Sequence, residues 1–191
     1  MSIVLMGSTS GSCTLQEQAV AGTTTLTLPT FNGTVGLLVS GTAVSASGTA
    51  VDFTGIPAGV RRITVMFNGV STNGTSNMII QLGDSGGVET TGYVNMIGNT
   101  SLASANAGTY HTNGCNVPTY TAASSNNGQI IFSNLSGNIW VFSGLLADPV
   151  NPRLVSSAGS KTLSDVLDRV RITTEGGVNT FDAGSINILY E

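Results

Sequence analysis

A serine set among glycines is the residue best suited by type to attack a substrate, in Gly83-Asp84-Ser85-Gly86-Gly87. Flanking glycines let backbone N–H groups turn towards a developing oxyanion while the serine supplies the nucleophile. Such a serine needs a base, and the chain has one histidine, His111, which follows it in the sequence. Asp84 and Glu89 border the same glycine cluster and form one pair of carboxylates; Asp165 and Asp168 form a second. Paired carboxylates cleave glycosidic bonds when one stays protonated as the acid and the other acts as base or nucleophile. Metal binding would fall to His111, Cys13 and Cys115, and none has partners at ligand spacing.

Each of these constellations has a plainer reading, and the plainer one is expected. The 83–87 segment resembles the nucleophile segment of chymotrypsin-like serine proteases. In that family the histidine precedes the serine, and here Val88 stands where a proline usually follows. The segment therefore reads as a Gly-rich turn after a strand. Asp165 and Asp168 flank a short apolar segment and read as a solvated edge. Aromatic residues make up 6% of the chain, too few to stack sugar rings. His111, beside Tyr110, Thr112 and Asn113, reads as a solvent-facing loop residue. Cys13 and Cys115 are expected as free thiols of a reducing compartment, with a single disulfide as the alternative. No catalytic residue, metal or cofactor is expected.

Composition sets the class of function. Only 8% of the 191 residues are charged, the formal net charge is −4 and 40% are hydrophobic. The bases, Arg61, Arg62, Arg153, Lys161, Arg169 and Arg171, form no cluster larger than a pair. Direct nucleic-acid binding, which depends on neutralising phosphates, is not expected. No apolar run approaches the roughly 20 residues of a membrane span, and residues 1–6 lack the basic flank of a secretory signal. Low charge leaves little self-repulsion and favours tight association with copies of the chain or a larger neighbour.

The elements that would position these residues are short strands. Residues 1–40 read as an extended arm, with alternation over 21–29 and an apolar run over 35–39. Leu26, Leu28, Phe31, Val35, Leu37 and Leu38 would be its contacts with other subunits or a shell. Residues 41–191 read as one β domain, with 41–50 serving as a linker or a first weak strand. Arg62 to Asn68 alternates, with Ile63, Val65 and Phe67 on one face. Strands follow over 77–82, 92–97, 129–135 and 139–146, near Leu154, and over 168–174 and 185–191. Turn signals include Asn68-Gly69, Asn73-Gly74, Asn127-Gly128 and Gly176-Gly177. Strands 129–135 and 139–146 read as a core hairpin carrying Trp140 and Phe142. Residues 162–166 are the one helix candidate. Residues 101–121 read as a loop that exposes Tyr110, His111 and Tyr120 for recognition. About eight strands without a fixed repeat predict an antiparallel β-sandwich, most simply a jelly roll. Arg169 and Arg171 share a strand face and read either as a charged edge or as a salt-bridging subunit contact.

Two long segments, Asp52 to Gly74 and Leu167 to Glu191, resemble a domain common in structural proteins of tailed bacteriophages. The opening, with Ala21-Gly-Thr-Thr-Thr-Leu-Thr-Leu-Pro29 and Gly33-Thr-Val35, is similar to the N-terminal segment of many phage fibre and head-decoration proteins. This resemblance implies a β-sandwich, often a homotrimer, located in the virion and free of cofactors. Its partners would be its own copies and the major capsid protein or another virion protein. An arm joined to a compact domain, without coiled-coil heptads or shaft repeats, suits a decoration or cement protein. A short tail fibre or receptor-binding protein is the alternative.

Overall fold

The computed structural model describes residues 2–6, 12–16, 38–101 and 107–191. The chain divides into two compact units, Met1–Val35 and Gly36–Glu191. In the first, β1 (Ser2–Met6) and β2 (Ser12–Gln16) pair antiparallel, from Ser2 opposite Gln16 to Met6 opposite Ser12. The expected contacts Leu26, Leu28, Phe31, Val35 and Leu37, and the alternation over 21–29, lie outside the described residues.

The second unit opens with β3 (Val39–Ser40), β4 (Val44–Ser45) and β5 (Ala50–Thr54). The long β6 (Arg62–Thr72) leads to β7 (Met78–Asp84), β8 (Gly87–Val88), β9 (Tyr93–Ser101), β10 (Ala107–His111) and β11 (Cys115–Val117). Then come β12 (Asn126–Ser136), β13 (Ile139–Asp148), β14 (Arg153–Thr162), β15 (Leu167–Thr174) and β16 (Phe181–Tyr190). One sheet runs β10-β9-β14-β13-β12-β6-β16, with β3 and β4 both pairing with β16; the smaller runs β11-β7-β15-β5, with β8 beside β7. Every pairing is antiparallel.

This order is a jelly roll. With β3 and β4 as the first strand, and β5, β6, β7, β11, β12, β15 and β16 as the rest, the sheets read 1-8-3-6 and 2-7-4-5. The β13–β14 and β9–β10 pairs extend the first sheet beyond β12. Alternation explains the core. Ile63, Val65 and Phe67 on β6, Ile130 and Phe132 on β12, and Trp140 and Phe142 on β13 point inward. They meet Met78, Ile80, Leu82, Val170 and Ile172 of the small sheet in one buried cluster. Phe132 and Phe142 are cross-strand partners with ring centroids 5.2 Å apart. Each such side chain stabilises the fold by about 1.5–3 kcal/mol through burial.

Several expectations are corrected. Val39–Ser40, assigned to the arm, pair with Leu189 and Tyr190 of β16, so the main sheet begins before residue 41. Residues 162–166 form no helix; they end β14 and bend into β15. Asn68-Gly69 and Asn127-Gly128 are not turns but lie inside β6 and β12. Gly69 takes φ +65°, and the β6 pairings shift register around it, so the extra residue is absorbed as a bulge. The 101–121 stretch holds β10 and β11. Residues near Leu154 form not a short strand but the ten-residue β14.

Candidate functional site

Ser85 and Gly86 form the two-residue tip of the β7–β8 hairpin, in which Gly83 pairs with Val88 and Asp84 with Gly87. The Gly-rich turn is therefore as expected. Asp84 is buried, and its Oδ1 accepts the Gly86 N–H at 2.8 Å. Its Oδ2 accepts the Ser164 hydroxyl at 2.7 Å and the Asp165 N–H at 2.9 Å. These bonds, that from Ser164 foremost, hold the carboxyl below its ordinary value. Asp84 thus staples the hairpin tip to the β14–β15 connection.

Glu89 joins the same knot. Its Oε1 accepts the Ser164 N–H at 2.6 Å, and its Oε2 pairs with Lys161 Nζ. Lys161 is 6% exposed, with its ammonium 5.3 Å from the centroid of the Tyr93 ring. The Tyr93 hydroxyl accepts the Leu82 N–H at 2.7 Å and donates to Glu89 O at 3.1 Å. Burial pushes the Glu89 carboxyl up, but Lys161 and Ser164 outweigh it and leave it below its ordinary value. A glycosidase needs one carboxyl held protonated by a raised pKa; both members of this pair are shifted the other way. In the second pair, Asp165 Oδ1 accepts the Val166 N–H at 2.8 Å, and Asp168 binds Arg169 through two hydrogen bonds of 2.7 and 3.1 Å.

No hydrogen bond links His111 to Ser85. The His111 Nδ1 lies 3.5 Å from Glu175 Oε1, and its side chain is 13% exposed, so it is not the solvent-facing loop residue expected. Tyr110 is on edge strand β10 and exposed. Tyr120 is half-buried beneath Arg153, whose guanidinium carbon is 3.8 Å from its ring centroid. Arg153 follows a turn tied to buried Asp148, which accepts N–H bonds from Ser125, Val150 and Asn151. The three residues therefore do not form one exposed loop; strand pairing buries His111, and stacking with Arg153 covers Tyr120.

Arg169 and Arg171 do point outward, with Val170 and Ile172 inward, but β15 lies between β7 and β5 rather than at an edge. Arg171 binds Asp52 of β5 through two hydrogen bonds of 2.7 Å each. Both guanidinium groups thus have carboxylate partners within the chain. Leu38 is 60% exposed. Cys115 is a free, buried thiol 3.3 Å from Ser157 Oγ, and burial pushes it up to about 12. The Asn95 side chain donates to Ser157 Oγ at 2.8 Å and accepts the Asn116 N–H at 2.9 Å, binding β11 to β9 and β14.

The outer face of the large sheet differs from all of this. Register aligns Tyr110 with Met96, Met96 with Ala158, Ala158 with Ser143, and Ser143 with Ile131. The next row aligns Gly98, Ser156, Leu145 and Gln129, and a third aligns Val94, Ser160, Val141 and Ser133. No outward position on these five strands among the described residues carries a charge. Alternation marks each outward position, but only the register shows that they lie side by side. At one end of the sandwich, Pro57, Gly59, Arg61, Asn134, Asn138 and Trp140 line a cavity of about 230 Å³. There the Arg61 guanidinium donates to Asn134 Oδ1. No family model, curated protein or solved structure matches the chain.

Proposed function

We propose that this chain is a structural protein of a tailed-bacteriophage virion, working as a decoration or cement protein that stabilises the head through contacts with its own copies and the shell. The observation that carries this reading is the broad, uncharged outer face of the large sheet, a surface suited to burial against protein rather than to binding a charged ligand. The phage resemblance supports it: Asp52 to Gly74 and Leu167 to Glu191 include most of β5 and all of β6, β15 and β16, which form two neighbouring strands in each sheet. Function then resides in the assembled surface, not in catalysis, and a homotrimer is the expected working form.

Copy number tests the reading. A gel of purified virions, calibrated against the major shell protein, should show hundreds of copies per particle, and heads lacking the protein should burst at lower temperature. Absence from the particle would overturn the reading. A second reading, a short tail fibre or receptor-binding protein, is favoured by the cavity where an indole, a guanidinium and two amides converge. It predicts a few copies at the tail and adsorption blocked by excess free protein.

A further inference from the structure

Large apolar side chains exposed on this molecule are concentrated. Of the eleven that stand out among the described residues, Val94, Met96, Tyr110, Val141, Leu145 and Leu154 lie on one face. They sit at outward positions of four adjacent strands, β10, β9, β14 and β13, and are 38–55% exposed. We infer that this face is buried against the same region of another copy of the chain, so that the large sheets form the self-association interface.

Three observations identify the occupant as a second copy. First, the face has no charge from β10 to β12. A partner recognised through ion pairs has nothing to grip there, whereas two neutral faces meet without like-charge repulsion despite a net −4 on each chain. Second, the face has relief. Val94, Ser160, Val141 and Ser133 alternate in size across one row, and in the neighbouring rows Met96 has Ala158 beside it and Leu145 has Ser156. Such relief lets two copies interdigitate at the roughly 10 Å spacing of packed sheets. Third, the area suffices. Five strands about 4.8 Å apart, each contributing some eight residues at about 3.4 Å, give a footprint of roughly 600 Å². Two such footprints total about 1,200 Å², above the roughly 1,000 Å² expected of a specific interface. A closed dimer or trimer in which each copy presents this face is the symmetric solution.

The inference can be read on the purified full chain and stands whether or not the chain belongs to a virion. Light scattering coupled to size exclusion, at about 10–100 μM, should give the mass of two or three chains. Leu145→Glu should reduce it to one. Ser143→Glu should do the same, since it adds a charge at an exposed small residue without removing packing. Both variants should keep the wild-type far-UV spectrum and melting temperature at concentrations where the wild type is itself monomeric. Val178→Glu, at a 71% exposed apolar residue in the turn between β15 and β16, should leave the assembly intact. A monomeric wild type overturns the inference. So does an assembly that survives both Leu145→Glu and Ser143→Glu, or one dissociated only by Val178→Glu.

Discussion

The outer surfaces of the two sheets differ in how they manage exposure. On the small sheet, Asp52 is opposite Arg171, and Asp168 binds Arg169, so charges pair along the strands and keep the surface wet. On the large sheet, five neighbouring strands carry serine, alanine, valine, methionine and leucine, with no charge among the described residues. Sheet proteins that remain single commonly use charge to prevent unwanted strand association. One surface of this molecule follows that rule and the other departs from it. The difference is one of placement: charge is absent from one face, whereas on the other Asp52 and Arg171, and Asp168 and Arg169, are fastened to each other in pairs.

The severest way to break this contrast is to remove the strands that carry the neutral face. A Cβ at Gly159 would overlap Val94 O, so Gly159→Ala should separate β14 from β9. We expect a loss of at least about 4 kcal/mol in denaturant unfolding, at the upper end for single substitutions. Next is the knot beneath the β7–β8 hairpin. Glu89→Ala leaves the buried Lys161 ammonium unpaired and should cost about 3–5 kcal/mol by the same measurement. If it costs less than about 1 kcal/mol, Lys161 is reaching water, and the hairpin is not stapled as described.

Acid should act through the same carboxylates. Glu89, with an ordinary value of 4.5, and Asp84, with one of 3.8, are both lowered in the folded chain. Their contribution is complete above those values and is lost as pH falls through the lower folded values. The melting temperature should therefore hold from pH 7 to about 5 and drop below about 4. Glu89→Gln should flatten part of that drop in calorimetry. The smallest effect belongs to the charged surface: a double-mutant cycle on Asp52 and Arg171 should give a coupling of about 0.2–1 kcal/mol that weakens in high salt. A coupling above about 2 kcal/mol would mean that the small-sheet pairs are structural rather than merely solvating.

Much of the architecture was legible in the alternation. The inward residues of β6, β12, β13, β15 and β16 follow from a period of two, and turn residues bounded enough strands to imply a sandwich. β14 was hidden because Arg153-Leu-Val-Ser-Ser-Ala-Gly-Ser-Lys-Thr162 offers only Val155 as a large, completely buried apolar residue, so its inward row lacks the usual hydrophobic signal. β10 and β11 were hidden because they are short: β10 buries no large apolar residue, and β11 spans only three residues, too few to show a period although Cys115 and Val117 are buried in the core. Asn68-Gly69 misled because the same backbone freedom serves a hairpin turn and a bulge. The chemically able residues were found, but not their partners: Asp84 to Ser164 and His111 to Glu175 span long stretches of chain. The neutral face was invisible for the same reason, since Met96, Leu145 and Leu154 become neighbours only after the strands are ordered.

β16 lies between β6 and the β3–β4 edge, and β15 lies between β7 and β5. A ribosome making this chain from its amino end would release most of both sheets before either could close. Until β15 and β16 arrive, β6 and β7 each have an unsatisfied row of amides and carbonyls towards the gap. Nascent molecules on neighbouring ribosomes would be most vulnerable to mispairing in that interval, which makes the rate of completing the last two strands a determinant of yield.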